Sequence, residues 1–157
     1  MRMLFKQRFF SWFDSYDIYD ENGGTLYNVE GKLAWGHKLE IHDTAGTLLG
    51  SVKERVLTFL PKFELYVGNE YVGEIRKELT FLRPSYALDF HGWHVQGDLF
   101  GWDYRVTDAG NRIVASVSKE LLNFTDTYTI DVADPGNALW ALMIVLAIDA
   151  ANCSQND

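Results

Sequence analysis

The chain has 157 residues, 47% of them apolar and 15% aromatic, so it can bury a core as one domain and is not a disordered tail. Fourteen basic against 22 acidic residues give a formal charge of −8, which argues against nucleic-acid binding through a general basic footprint. A single cysteine, Cys153, excludes an internal disulfide and a multi-cysteine metal site and points to a reducing compartment.

In chain order, the first segment, "MRMLFKQR", carries charges too often to read as a signal peptide. It aligns with half of a unit that then recurs. Full units open at Ser11, Ala34, Thr58, Thr80 and Leu99, and a sixth opens at Asn123, with spacings of 23, 24, 22, 19 and 24 residues. Each full unit reads as a β-hairpin. In its first arm apolar residues alternate with polar ones, as in Phe63, Leu65 and Val67 against Glu64 and Tyr66, or Leu39 and Ile41 against Lys38, Glu40 and His42. The turns "ENGG", "DTAG", "VGNE", "HG" and "DAGN" supply residues that tolerate positive φ. The second arms alternate as well: Leu48, Gly50 and Val52; Tyr71, Gly73 and Ile75; Ile113, Ala115 and Val117 are expected to face inward. The leading half-unit, five hairpins and the first arm of the sixth unit, Thr127 to Val132, make twelve strands.

The stretch "DPGNALWALMIVLAIDAAN" follows, Asp134 to Asn152. Asp134 and Pro135 form a helix-start signature. The uncharged core, Ala138 to Ile148, is eleven residues, where a bilayer span needs roughly 20, so it reads as a helix buried in protein. Twelve strands spaced ~4.8 Å and tilted ~40° close into a barrel roughly 24 Å across, leaving a lumen of about 12 Å after one layer of side chains, the width of one helix. The small residues Gly50, Gly73 and Ala115 are expected to let that helix approach the wall. The predicted fold is an all-β closed antiparallel barrel of twelve strands around a C-terminal helix, one domain over residues 1–153 with a tail at 154–157.

The residues offer no catalytic set, no cofactor motif and no metal-ligand set. His91 and His94 lack a Cys or Glu at ligand spacing, His37 and His42 are weaker still, and Cys153 has no base beside it. Asp20, Glu21, Asp43, Asp89 and Asp108 read as turn carboxylates, and Asp149 as a group at the barrel mouth. Bases gather at the far ends of the second arms: Arg8, Lys32, Lys53, Arg55, Arg76, Lys77 and Lys119. In a meander this gives an acidic rim and a more basic one. The basic rim is read either as a contact for lipid phosphates or an acidic partner, carried by Lys53, Arg55, Arg76 and Lys77, or as solvated strand ends interleaved with Glu54, Glu78 and Glu120.

The phrases "LFKQRFFSWFDSYDIYDENG", "LTFLPKFELYVG", "VGEIRKELTFLRPSY" and "DVADPGNALWALMIVLAID" resemble, in order, the LURP-one-related family over nearly the whole chain, Met1 to about Cys153. That resemblance implies the tubby-like form of the barrel. It implies structural kinship with tubby domains, which bind phosphoinositide headgroups, and with phospholipid scramblases. It brings no catalytic residue. The expected function is a non-enzymatic binding or scaffold module, cytoplasmic and peripheral at a membrane surface, with anionic phospholipid as partner. The alternative is a protein-interaction module using Trp12, Trp35 or Trp102. An enzyme or lipid-transfer protein would require a cavity that the helix is expected to fill.

Overall fold

A computed structural model describes residues 1–5, 15–80, 85–122 and 125–153; Arg8, Trp12 and the 154–157 tail lie outside this set. Twelve strands form one antiparallel sheet: β1 (Arg2–Phe5), β2 (Ser15–Tyr19), β3 (Thr25–Ala34), β4 (Gly36–His42), β5 (Leu48–Glu54), β6 (Lys62–Val67), β7 (Glu70–Glu78), β8 (Ser85–Asp89), β9 (His94–Asp98), β10 (Asp103–Thr107), β11 (Ile113–Leu122) and β12 (Thr125–Val132). The helix α1 (Ala138–Cys153) closes the order. Sheet neighbours run from β8 back to β1, then β12 down to β9. The first strand therefore pairs with the last, and the sheet rolls into a nearly closed barrel around α1.

Alternation places the core as expected. Ile18, Val29, Leu39, Ile41, Leu65, Val106 and Ile130 point inward and are fully buried, as are Leu142 to Ala147 on the helix. Among the described residues one helical stretch, Pro135–Asn152, is long and apolar enough to cross a bilayer, and here strands wrap it instead. A single turn of 3-10 helix, Pro135–Asn137, leads into it, with the Asp134 carboxylate accepting a hydrogen bond from Gly136 N at 2.9 Å.

One end of the barrel is built from a repeated device. Asp20, Asp43 and Asp108 each open a turn, and each carboxylate accepts from the amides two and four residues on, at 2.8–3.0 Å. The residue three positions on takes positive φ: Gly23, Gly46 and Asn111. These carboxylates do structural work, as the turn reading expects. For Asp108 the Arg112 amide foremost, then the Arg112 side chain and the Gly110 amide, holds the carboxyl below its usual range. A depressed folded value means the group stabilises the fold above the ordinary aspartate pKa and loses that contribution as pH falls through the folded one. A carboxyl-carbon NMR titration should therefore find Asp108 ionising below a random-coil aspartate, and Asp108→Asn should flatten the acid limb of stability.

Next to each of these turns, and at the β6–β7 turn, sits a β-bulge. Register shifts occur between Ile18 and Tyr19, Ile41 and His42, Leu65 and Tyr66, and Val106 and Thr107. The extra residue reverses the facing of the first residue of the second arm. Tyr71 and Ile113, expected inward, are therefore exposed, at 52% and 47%.

The fourth hairpin differs from the expectation. Its arms β8 and β9 form no ladder and stand at the two ends of the strand order, so the wall has a split there. Phe90 and Trp93 are buried beside it, 5.2 Å apart edge to face, and Phe90 meets Trp140 of α1 at 5.3 Å. A Cβ on Gly73 would collide with the Asp89 carbonyl and the Phe90 ring rather than with the helix. Gly50 behaves as expected: its Cβ would meet Met143 Sδ at 3.2 Å and Leu139 at 3.7 Å, as well as the Tyr66 carbonyl. Ala115 is fully buried in the core. The Asn152 side chain bridges the split. It accepts from Tyr86 Oη of β8 at 2.7 Å and donates to the Leu99 carbonyl just past β9 at 3.0 Å.

Candidate functional site

The rim opposite the aspartate turns holds the predicted basic residues. Register puts Lys53 across from Lys38 and Glu64, and Arg76 across from Lys62 and Ala87. The Arg55 amide extends the same row, donating to Lys62 O at 2.9 Å. Lys53, Arg55 and Arg76 thus share the outer face of the wall formed by β5, β6 and β7. Lys77 does not join them. One residue on from Arg76, it has the inward parity of Ile75 and sits opposite the buried Tyr86, where burial pushes its ammonium below the usual lysine range. Among the described residues, none of Lys53, Arg55 and Arg76 makes an ion pair, whereas the acids beside them are engaged. Glu54 accepts from His37 Nδ1 at 2.8 Å, Glu74 holds Lys62 at 2.8 Å, and Glu78 accepts from Ser85 Oγ at 3.0 Å. Lys62 in turn holds Glu74 below its usual range. Across the same rim, Asp98 and Asp103 stand exposed on either side of the β9–β10 connection.

Of the apolar tips in this sector, sequence reasoning singled out Trp35 and missed the others. Leu33 and Trp35 flank the β3–β4 turn, Leu57 and Phe59 crown the β5–β6 loop, and Leu79 follows β7; they are 75%, 88%, 102%, 91% and 78% exposed. Backbone geometry fixes them there. Leu57 takes a left-handed φ of 63° and Gly36 one of 91°. A Cβ on Gly36 would meet the Glu54 carbonyl at 2.8 Å and Val56 Cγ1 at 2.9 Å, so the two connections are packed backbone to backbone. Glu54 also accepts from the His37 amide at 3.4 Å, and the Lys77 amide donates to Pro61 O at 2.9 Å. The signal in the sequence is "LTFL", which stands at residues 57–60 and again at 79–82.

Other predicted sites disperse. Trp102, expected as an exposed anchor, is buried. Its left-handed φ of 55° swings the ring onto Phe5 at 6.0 Å and Tyr128 at 4.4 Å. Trp35 is the exposed one, and Trp12 lies outside the described residues. His91 stacks on Trp140 at 4.2 Å, while His94 projects from β9 into solvent. Glu30, Glu40 and His42 stand close enough to share a cation, but Lys32 and Lys38 already hold the two carboxylates at 3.0 and 3.3 Å. Asp149 is half-buried at the helix end, and its charge adds to burial in pushing the Tyr104 hydroxyl well above its usual range. The Cys153 side chain is outside the described set.

The chain is 29% identical over 158 residues to the uncharacterised protein YxjI of Bacillus subtilis (strain 168), covering all of this chain and 97% of that one. Its fold is similar to the X-ray structure of a protein from Arabidopsis thaliana, with a TM-score of 0.60, 15% identity, and 92% and 88% of the two chains covered. The family model described as LURP-one-related matches residues 1–149. Twelve strands rolled around a C-terminal apolar helix, together with that match, show that the chain belongs to the LURP-one-related family.

Proposed function

We propose that this protein is a non-enzymatic, cytoplasmic binding module that docks on anionic phospholipid surfaces through the sector carrying Lys53, Arg55 and Arg76, with Lys77 at the lumen edge behind them. One observation supports the reading: among the described residues, three cations that form no ion pair share one outer face, while neighbouring acids are engaged by other groups. The net charge of −8 makes orientation decisive, because the aspartate-rich end is repelled by the same surface that attracts this sector.

Each cation near an anionic leaflet contributes about 1 kcal/mol, so neutralising three weakens binding roughly 100-fold. Phosphatidylcholine vesicles containing phosphatidylserine should sediment the wild-type protein at low salt. Lys53→Gln/Arg55→Gln/Arg76→Gln should lose most of that binding, and added salt should mimic the loss. Absence of sedimentation at low salt sinks the proposal. A protein retained on a soluble partner through Trp35, with no vesicle binding, would establish the interaction-module alternative instead.

A further inference from the structure

We infer that the tips Trp35, Leu57, Phe59 and Leu79 enter the bilayer interface, so that attachment is by insertion as well as by charge; this rests on the phospholipid reading above. Single exposed apolar residues are ordinary on any protein surface. These four differ in concentration, projection and company. They occupy successive connections of one rim sector, the first two of them held together where Gly36 packs on the Glu54 carbonyl. Their exposure is 78–102%, whereas the large apolar side chains exposed at the opposite end, Met1, Tyr71 and Ile113, reach only 40–52%. Their flanks are cationic: Arg55 and Lys62 bracket the Leu57–Phe59 loop, and Arg76 and Lys77 precede Leu79. An aromatic and aliphatic tip with bases set back from it is the composition that favours the headgroup–acyl boundary, where apolar groups leave water and cations stay among phosphates. A soluble protein partner explains the apolar tips less well, since protein interfaces are depleted in lysine and this sector carries Lys53, Lys62 and Lys77 around them. The resulting pose stands the barrel on its basic sector, with the Asp20, Asp43 and Asp108 turns directed away from the membrane.

The test uses the full chain and anionic vesicles whose lipids carry bromine on the acyl chains. Quenching of tryptophan fluorescence is expected, and Trp35→Phe should remove most of it. Leu57→Ser/Phe59→Ser adds no charge and alters only exposed side chains, so its thermal melt should match wild type. Its vesicle affinity should fall by about 100-fold, roughly ten-fold for each side chain no longer leaving water, and the loss should persist at high salt. Four results would overturn the inference. Quenching that Trp35→Phe leaves unchanged removes the inserted tip. Vesicle affinity of the serine variant within about two-fold of wild type removes the role of the loop. Binding that the basic-residue variant abolishes while both tip readouts stay flat leaves charge docking standing without insertion. Wild-type protein that ignores anionic vesicles altogether removes the parent reading too.

Discussion

Leu142→Asp should abolish cooperative folding. Leu142 is fully buried at mid-helix, and its neighbours Ala141, Met143, Ile144 and Val145 are equally inaccessible. A carboxylate there is shut away from water in the apolar core, and burying an unpaired charge or a neutralised acid costs several kcal/mol against a typical total of about 5–15. Leu142→Ala isolates the packing contribution: it should cost about 2–5 kcal/mol and leave a shifted but cooperative transition. Circular dichroism melts and urea titrations of the two variants read the difference. A soluble Leu142→Asp protein with a sharp transition would mean that water reaches the barrel axis.

Asn152→Leu should be the next most damaging polar-to-apolar change. It removes two buried hydrogen bonds at once, those to Tyr86 Oη and the Leu99 carbonyl, at the position where β8 and β9 share no ladder. Losing each buried bond costs roughly 1–3 kcal/mol. Tyr86→Phe removes only the first bond and should cost less. The location of the loss distinguishes this from general destabilisation. Amide exchange should accelerate in β8 and β9 well before it does in β4 and β5, because the split opens while the rest of the wall stays paired. Urea titration combined with exchange mass spectrometry tests this, and uniform acceleration across the sheet would contradict it.

Most of the wall was legible because alternation and Asp-rich turns are local signals. Leu39 and Ile41 against Lys38 and Glu40 specify a facing, and Asp43 followed by Gly46 specifies a turn. The helix was legible because nothing in "ALWALMIVLAI" could face water. The bulges were not, since an inserted residue leaves no mark in composition, and so Tyr71 and Ile113 were given the wrong face. The split had a faint mark: β9 reads His94-Val95-Gln96-Gly97-Asp98, a strand with one apolar residue and a glycine at φ 125°. Lys77 counted with the outer cations until strand parity separated it from Arg76. Leu57 and Phe59 look like core residues in any composition, and only the geometry of their loop puts them in solvent.

The placement of α1 at the end of the order constrains how a ribosome can deliver this protein. Met1 finds its partner Val132 only after 131 further residues have been made, and the lining of the wall meets its filler later still. Until β12 and α1 have been made, the earlier strands keep an apolar inner surface and open edges. Such a chain folds slowly, through distant pairings, and invites association with its neighbours in the meantime. An interval therefore exists in which the wall strands have been made and the helix that fills them has not.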